Sequence, residues 1–127
     1  MKKENKKLLI KDLCPRLPYG LVIDYNGIRT TLHDIKVFQL YNGSDDIKDY
    51  ICLIDIFGDD DYIDVENIKP YLFPLSSMTE EQQLFYCSDF NYLPYYQRVD
   101  WFNKNHIDYR GLIEMGLAKD ATGLNIY

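Results

Sequence analysis

The stretch GLVIDYNGIRTTL, residues 20–32, is the part of the chain that decides the fold. An apolar run at Gly20–Tyr25 leads into Asn26-Gly27, and a threonine-rich run at Ile28–Leu32 follows. Both central residues of a type I′ turn need a positive φ, which Asn and Gly tolerate, so this pattern is typical of a tight β-hairpin. We therefore predict two antiparallel strands joined at Asn26-Gly27.

Further short strands are predicted on both sides of this hairpin. Apolar runs bounded by turn residues favour strands at Leu8–Leu13, Asp34–Tyr41, Tyr50–Phe57 and Tyr62–Val65. Short strands with turns this close indicate a small, strongly bent antiparallel sheet or an SH3-like barrel. The sequence does not separate these two alternatives, and the β-rich half is predicted to span residues 8–66.

The second half of the chain changes from strands to helices. Residues 67–78 contain two prolines and predict a rigid connector, and residues 79–118 predict a helical half. Thr79 and Gln82 have the spacing of a capping box, in which the Thr side chain caps the new helix. The predicted class is α+β: one domain over residues 1–127, with two or three short C-terminal helices after the sheet.

A second helix is predicted after Pro94, because proline fits the first turn of a helix. Asp108 is predicted to cap a final short helix that Gly116 ends. The helical spacing places four residues of the second helix on one face: Tyr95, Val99, Phe102 and His106.

Length and composition limit the class of protein. A chain of 127 residues with 46% hydrophobic residues is long enough for one domain with its own core. No apolar run approaches the roughly 18 residues that span a bilayer, and the apolar run after the basic start is too short for a signal peptide. We therefore predict a cytoplasmic protein that does not bind membranes.

Charge is spread unevenly along the chain. The net charge is −6 overall, but residues 45–66 carry nine acidic side chains against Lys48, a net of −8. A pI near 4.8 argues against direct nucleic-acid binding and predicts a basic partner surface. The alternative is a solvated hairpin tip. The predicted partner-binding carboxylates are Asp45, Asp46, Asp49, Asp59, Asp60, Asp61 and Asp64.

Tyrosine is unusually frequent, with 12 residues in the chain. Tyr86, Tyr92, Tyr95 and Tyr96 are close together in sequence and predict a protein-binding surface, because tyrosine is favoured at interface hot spots. The alternative interpretation is that tyrosine fills a small core as a large amphipathic side chain.

Catalytic and metal-binding patterns are weak. His106, Asp108 and Arg110 suggest acid–base chemistry, but a capping Asp108 is not free to orient an imidazole. The acidic run at residues 59–66 lacks the Gly and Glu positions of an EF-hand, and Cys14, Cys52 and Cys87 form no zinc or disulfide pattern. The sequence therefore predicts no enzyme, no metal site and no cofactor.

Three blocks together resemble a group of small uncharacterised phage and prophage proteins. They are residues 12–27 (DLCPRLPYGLVIDYNG), 68–81 (IKPYLFPLSSMTEE) and 100–117 (DWFNKNHIDYRGLIEMGL), about half of the chain. The resemblance implies no catalytic residues. It implies a protein of the host bacterial cytosol that binds host machinery, in the manner of anti-CRISPR inhibitors.

The function expected from this resemblance is inhibition of a host defence nuclease, such as a type VI CRISPR ribonuclease, at its guide or target RNA channel. The alternative is a phage structural or replication accessory protein that acts through protein–protein contacts. A small hydrolase or nuclease that uses His106 with Asp100 or Asp108 is a third, weaker alternative.

Overall fold

The computed structural model describes residues 1–41, 47–58 and 62–127, with the side chains of residues 47–50 left out. The chain divides into two compact units, Met1–Pro70 and Tyr71–Tyr127. Helices and mixed sheets confirm the predicted α+β class. The elements are helices α1 (Lys3–Leu13), α2 (Glu80–Ser88) and α3 (Tyr95–Lys104) and strands β1 (Val22–Tyr25), β2 (Ile28–Thr31), β3 (Asp34–Tyr41), β4 (Ile47–Asp55), β5 (Tyr62–Asp64), β6 (Ile68–Pro74), β7 (Ile107–Asp108) and β8 (Lys119–Asp120).

The predicted hairpin forms at the predicted turn. Strands β1 and β2 pair antiparallel, with Tyr25 opposite Ile28 across a two-residue loop. Asn26 has φ 51° and Gly27 has φ 88°, the positive values that a type I′ turn needs. The other edge of β1 pairs antiparallel with residues 68–70 of β6.

Strands β3, β4 and β5 form a second antiparallel sheet in that order. Strand β3 has the predicted bounds, whereas β4 begins three residues before the predicted start and ends at Asp55. The hydroxyl of Tyr62 on β5 donates to the Asp34 carboxylate on β3 at 2.7 Å. The described strands form open sheets and do not close into a barrel, so the bent sheet is the better of the two predicted alternatives.

The strand predicted at Leu8–Leu13 is wrong, because this run belongs to helix α1. Leu9 and Leu13, four residues apart, are both fully buried, whereas Leu8 is only half-buried. This is the burial pattern of a helix face. The lysines before the run are good helix formers, and they extend the helix back to Lys3.

The first unit holds a buried ion pair. Arg16 Nε donates to Asp12 Oδ2 at 3.0 Å, and Arg16 Nη2 donates to Asp12 Oδ1 at 3.2 Å. Both side chains are fully buried. The short 3-10 helix Cys14–Tyr19 follows α1 directly, so it places Arg16 one turn beyond Asp12. The surrounding core is apolar and includes Leu9, Leu13, Leu21, Ile23, Ile54, Ile56 and Val65.

The second unit contains two short parallel pairings. Within it, β6 pairs with β7 at Phe73 and Ile107, and with β8 at Tyr71 and Lys119. The predicted rigid connector is therefore largely a strand. Its two prolines remove only two N–H donors, and the buried side chains of Tyr71 and Leu72 anchor the segment despite them.

None of the helices in the described ranges has the length and apolar character that crossing a membrane requires.

Candidate functional site

Helices α2 and α3 are joined through an aromatic cluster, defined here as Phe85, Tyr86, Phe90, Trp101 and Phe102. Phe90 lies in the turn between the helices and is 6% exposed. Its ring centroid is 4.8 Å from that of Tyr86, 5.5 Å from that of Trp101 and 5.1 Å from that of Phe102. Phe85 stacks on Trp101 at 5.2 Å. The cluster holds the two helices together.

The start of α2 confirms the predicted capping box. The Gln82 backbone N–H donates to Thr79 Oγ1 at 3.1 Å, and the Thr79 backbone N–H donates to Gln82 Oε1 at 3.0 Å. Glu80 and Glu81 in the first turn favour the positive end of the helix dipole. The start of α3 differs slightly from the prediction, because Pro94 is the N-cap residue and α3 begins after it.

Three of the four predicted tyrosines are strongly exposed. Tyr92 is 89% exposed, Tyr95 74% and Tyr96 70%. We call these three residues the tyrosine surface. Tyr86 is different, because it packs in the aromatic cluster and is 37% exposed.

The four residues predicted to share one face of α3 do not all lie on it. Tyr95 points outward, and its ring lies 5.9 Å from the Arg98 guanidinium carbon. His106 lies beyond the end of α3 and has φ 57°, so helical spacing does not apply to it. Phe102, in the last turn of the helix, does join the aromatic cluster. The helix thus contacts the cluster only through its later turns.

Most of the predicted acidic site lies outside the described residues. Asp45, Asp46 and Asp59–Asp61 lie outside the described residues, and the side chain of Asp49 is also undescribed. Asp64 is half-buried, and its carboxylate accepts the backbone N–H of Glu66 at 2.9 Å. That contact caps the short 3-10 helix Val65–Asn67, so Asp64 has a local structural role.

The side chains of His106, Asp108 and Arg110 each have separate partners. Asp108 is buried, and its two oxygens accept the N–H groups of Leu112 and Ile113, both at 2.9 Å. The His106 ring stacks on Tyr127 at 3.6 Å, and Arg110 Nη2 donates to Tyr109 Oη at 3.0 Å. Asp108 accepts backbone N–H groups as predicted, but residues 112–116 form turns, so the final helix predicted there is wrong.

A cleft of about 340 Å³ lies between α2 and α3. We call it the α2–α3 cleft. Phe85 and Trp101 supply aromatic surface, and the Gln82 and Asn105 side chains are joined by a hydrogen bond of 3.4 Å. The full lining is Thr79, Glu81, Gln82, Phe85, Trp101 and Asn105.

Sequence reasoning did not find this cleft. Gln82 and Phe85 are three residues apart on α2, and Trp101 and Asn105 are four apart on α3, so each pair shares a helix face. That spacing is the signal that was available. It does not show which faces of the two helices meet, and this depends on the turn around Phe90.

The three cysteines differ in the expected reactivity of their thiols. Burial, with smaller contributions from Cys14 and Asp64, raises the pKa of Cys52 to about 12. Cys14 and Cys87 are both exposed, but partial burial of the Cys14 thiol raises its pKa. The thiolate is the reactive form, and a pKa of 12 leaves about one thiolate in 10,000 at pH 8. Cys52 is therefore a poor candidate for a nucleophile.

We expect iodoacetamide at pH 8 to label Cys87 first, then Cys14, and to label Cys52 only when the chain unfolds. Peptide mapping by mass spectrometry at successive times measures the order. Labelling in denaturant is the control, because all three thiols should then react at similar rates. Rapid native labelling of Cys52 would contradict the assignment.

Within the parts of the chain that the structure describes, no group of three His, Cys, Asp or Glu residues is arranged to hold a metal ion.

No match was found among protein families, curated proteins or solved structures.

Proposed function

We propose that this chain is a non-enzymatic binding protein that docks the tyrosine surface onto a basic surface of a partner protein. One observation carries the proposal: three tyrosines within five consecutive residues are between 70% and 89% exposed. Tyrosine is enriched at interface hot spots, where its ring buries apolar area and its hydroxyl keeps a polar contact.

The two helices bury little of their own surface. Every residue of α2 is described and none is buried, and in α3 only Asn103 is buried. Leu84 on α2 is 72% exposed. Scattered exposed apolar residues are normal, but large side chains concentrated on one helical pair mark an interaction site. The helical pair thus supports a role in binding.

Charge supports a basic partner. Residues 80–100 carry four carboxylates against the single guanidinium of Arg98, a net charge of −3. The segment at residues 45–66 adds the larger acidic charge of the sequence. Complementary charge speeds association and excludes wrong partners, and added salt weakens both effects.

The target that we propose is a host nucleic-acid-processing defence nuclease, with the chain acting as a phage-encoded inhibitor in the host cytosol. The resemblance of the three sequence blocks supports this target, and so does the match between an acidic protein and a basic RNA channel. The mechanism is stoichiometric: the bound protein occupies the surface that guide or target RNA needs. It requires no catalytic residue of this chain.

The experiment measures RNA cleavage by a purified type VI CRISPR ribonuclease as this protein is added. We expect inhibition that saturates near one molecule per nuclease and that weakens with added salt. The triple variant Tyr92→Ala, Tyr95→Ala, Tyr96→Ala should raise the concentration for half-inhibition by at least about 100-fold, since hot-spot residues contribute about 2 kcal/mol or more each.

Tyr41→Ala is the matched control, because Tyr41 is 56% exposed in the first unit and is also a tyrosine. It should inhibit as the unsubstituted protein does. Circular dichroism checks that each variant is folded. Absence of inhibition at tenfold molar excess would contradict the proposal that the nuclease is the target. If the triple variant inhibits as strongly as the unsubstituted protein, the tyrosine surface is not the docking site.

A further inference from the structure

We propose that the α2–α3 cleft binds an arginine side chain of the partner. This inference rests on the proposed function, because it assumes a basic partner, and it names the group by which that partner is recognised. A volume of about 340 Å³ is at the small end of ligand pockets, which suits one side chain rather than a large cofactor.

The lining combines aromatic surface with a fixed polar rim. Phe85 and Trp101 stack at 5.2 Å with their ring planes 28° apart. The Gln82 amide is held at both ends, since Oε1 accepts the Thr79 N–H and Nε2 donates to Asn105 Oδ1. Asn105 is held in turn, because Nδ2 donates to the Trp101 carbonyl at 2.8 Å. The cleft is therefore preorganised, and preorganisation reduces the entropy lost on binding.

Glu81 sets the charge preference of the cleft. It is the one lining residue with a formal charge, and its side chain is exposed. No described residue forms an ion pair with this carboxylate. A carboxylate beside aromatic rings attracts a cation in two ways, through the charge and through the ring quadrupole. The same carboxylate repels an anionic ligand.

The two helix ends at the cleft have dipoles of opposite sign, and the acidic first turn of α2 offsets the positive one. The positive end of α2 carries Glu80 and Glu81, and its capping box already satisfies backbone N–H groups that an anion would need. The last turn of α3 brings the negative end of its dipole, with Asn105 as the C-cap residue. A cation is favoured there.

Arginine fits better than lysine. A guanidinium is planar, so it can lie against an aromatic ring while its edge donates to a carboxylate, and it is more weakly hydrated than an ammonium. Phe85, Trp101 and Glu81 line the same cleft, which therefore offers both kinds of contact. Lysine can use the same site only as a point charge, so we expect it to bind more weakly.

The test titrates Nα-acetyl-arginine amide into the isotope-labelled full chain and follows the NMR signals of the protein. We expect shifts at the Trp101 indole N–H and at the side-chain amides of Gln82 and Asn105, with a Kd of about 1 mM for so small a ligand. Nα-acetyl-citrulline amide has nearly the same shape without the charge, and it should bind at least about tenfold more weakly.

Glu81→Gln should raise the Kd for the arginine amide by about tenfold, the usual scale of one charge-assisted contact. Glu80→Gln is the matched control, since Glu80 is also in the first turn of α2 but does not line the cleft. It should change the Kd by less than about twofold. Any of three outcomes overturns the proposal: no shifts at these residues, equal binding of citrulline, or equal effects of both variants.

The outcomes separate this inference from the proposed function. If the arginine amide fails to bind while the triple tyrosine variant still loses inhibition, only the arginine pocket is wrong. If the amide binds as expected and the chain inhibits no nuclease, the pocket remains and the target is wrong. Inorganic phosphate is the anionic probe, and binding of phosphate in the cleft would contradict the sign of the charge preference.

Discussion

Replacing Arg16 with methionine is expected to lower the free energy of unfolding by about 3–5 kcal/mol, because it leaves the Asp12 carboxylate buried without its partner charge. Both side chains are fully buried, and the pair is joined by two hydrogen bonds of 3.0 and 3.2 Å. Asp12→Leu should lower the free energy of unfolding by a similar amount, because it leaves the Arg16 guanidinium buried without the Asp12 carboxylate. Urea denaturation followed by circular dichroism measures both losses.

Two further variants show whether the loss comes from the pair. The double variant Asp12→Leu, Arg16→Met should be more stable than either single variant, because no buried charge is left unpaired. Glu66→Gln removes the contact at 3.3 Å between the half-exposed Glu66 carboxylate and the buried Lys6, and it should lower the free energy of unfolding by less than either change at the Asp12–Arg16 pair. Losses in the double variant that equal the sum of the single losses would show that the two side chains act independently.

The features predicted correctly from sequence are those that depend on neighbouring residues. The hairpin at Asn26-Gly27 follows from the backbone freedom of two adjacent residues. The capping box at Thr79 and Gln82 follows from a spacing of three, and Asp108 caps the N–H groups that follow it within five residues. Each of these contacts joins residues at most five positions apart, so the local sequence is enough to predict it.

The features predicted wrongly depend on distant contacts. The run at Leu8–Leu13 is too short to distinguish strand from helix, and burial of Leu9 and Leu13 in the core decides for the helix. The segment Ile68–Pro74 is a strand despite its prolines, because it pairs with β1, β7 and β8. No pattern within either segment indicates these partners.

The candidate site divides in the same way. The density of tyrosines at residues 86–96 predicted a surface, and three of the four are at least 70% exposed. Which tyrosine turns inward depends on the aromatic cluster, where Tyr86 packs on Phe90. The α2–α3 cleft depends on which faces of the two helices meet. This is a tertiary property, and it depends on how Phe90 packs in the turn between them.

Phe90→Ala is expected to lower the stability of the second unit by about 3–5 kcal/mol, the usual cost of removing a buried aromatic ring. Phe90 is 6% exposed, and its ring contacts those of Tyr86, Trp101 and Phe102 within 5.5 Å. Removal leaves a cavity between α2 and α3, and neither helix buries enough surface of its own to compensate. The chain has one tryptophan, so the fluorescence of Trp101 reports this unfolding directly.

Tyr92→Ala is the matched control for Phe90→Ala, because it removes an aromatic ring from the same short turn, Phe90–Tyr92. Tyr92 is 89% exposed, so the change in stability should stay within about 0.5 kcal/mol. The two variants then separate effects on folding from effects on binding. Phe90→Ala should weaken inhibition only to the extent that the helical pair unfolds. Tyr92→Ala should weaken inhibition although the chain remains folded. A loss of stability in Tyr92→Ala as large as that in Phe90→Ala would mean that the tyrosine surface is part of the packing, and it would remove the main support for docking there.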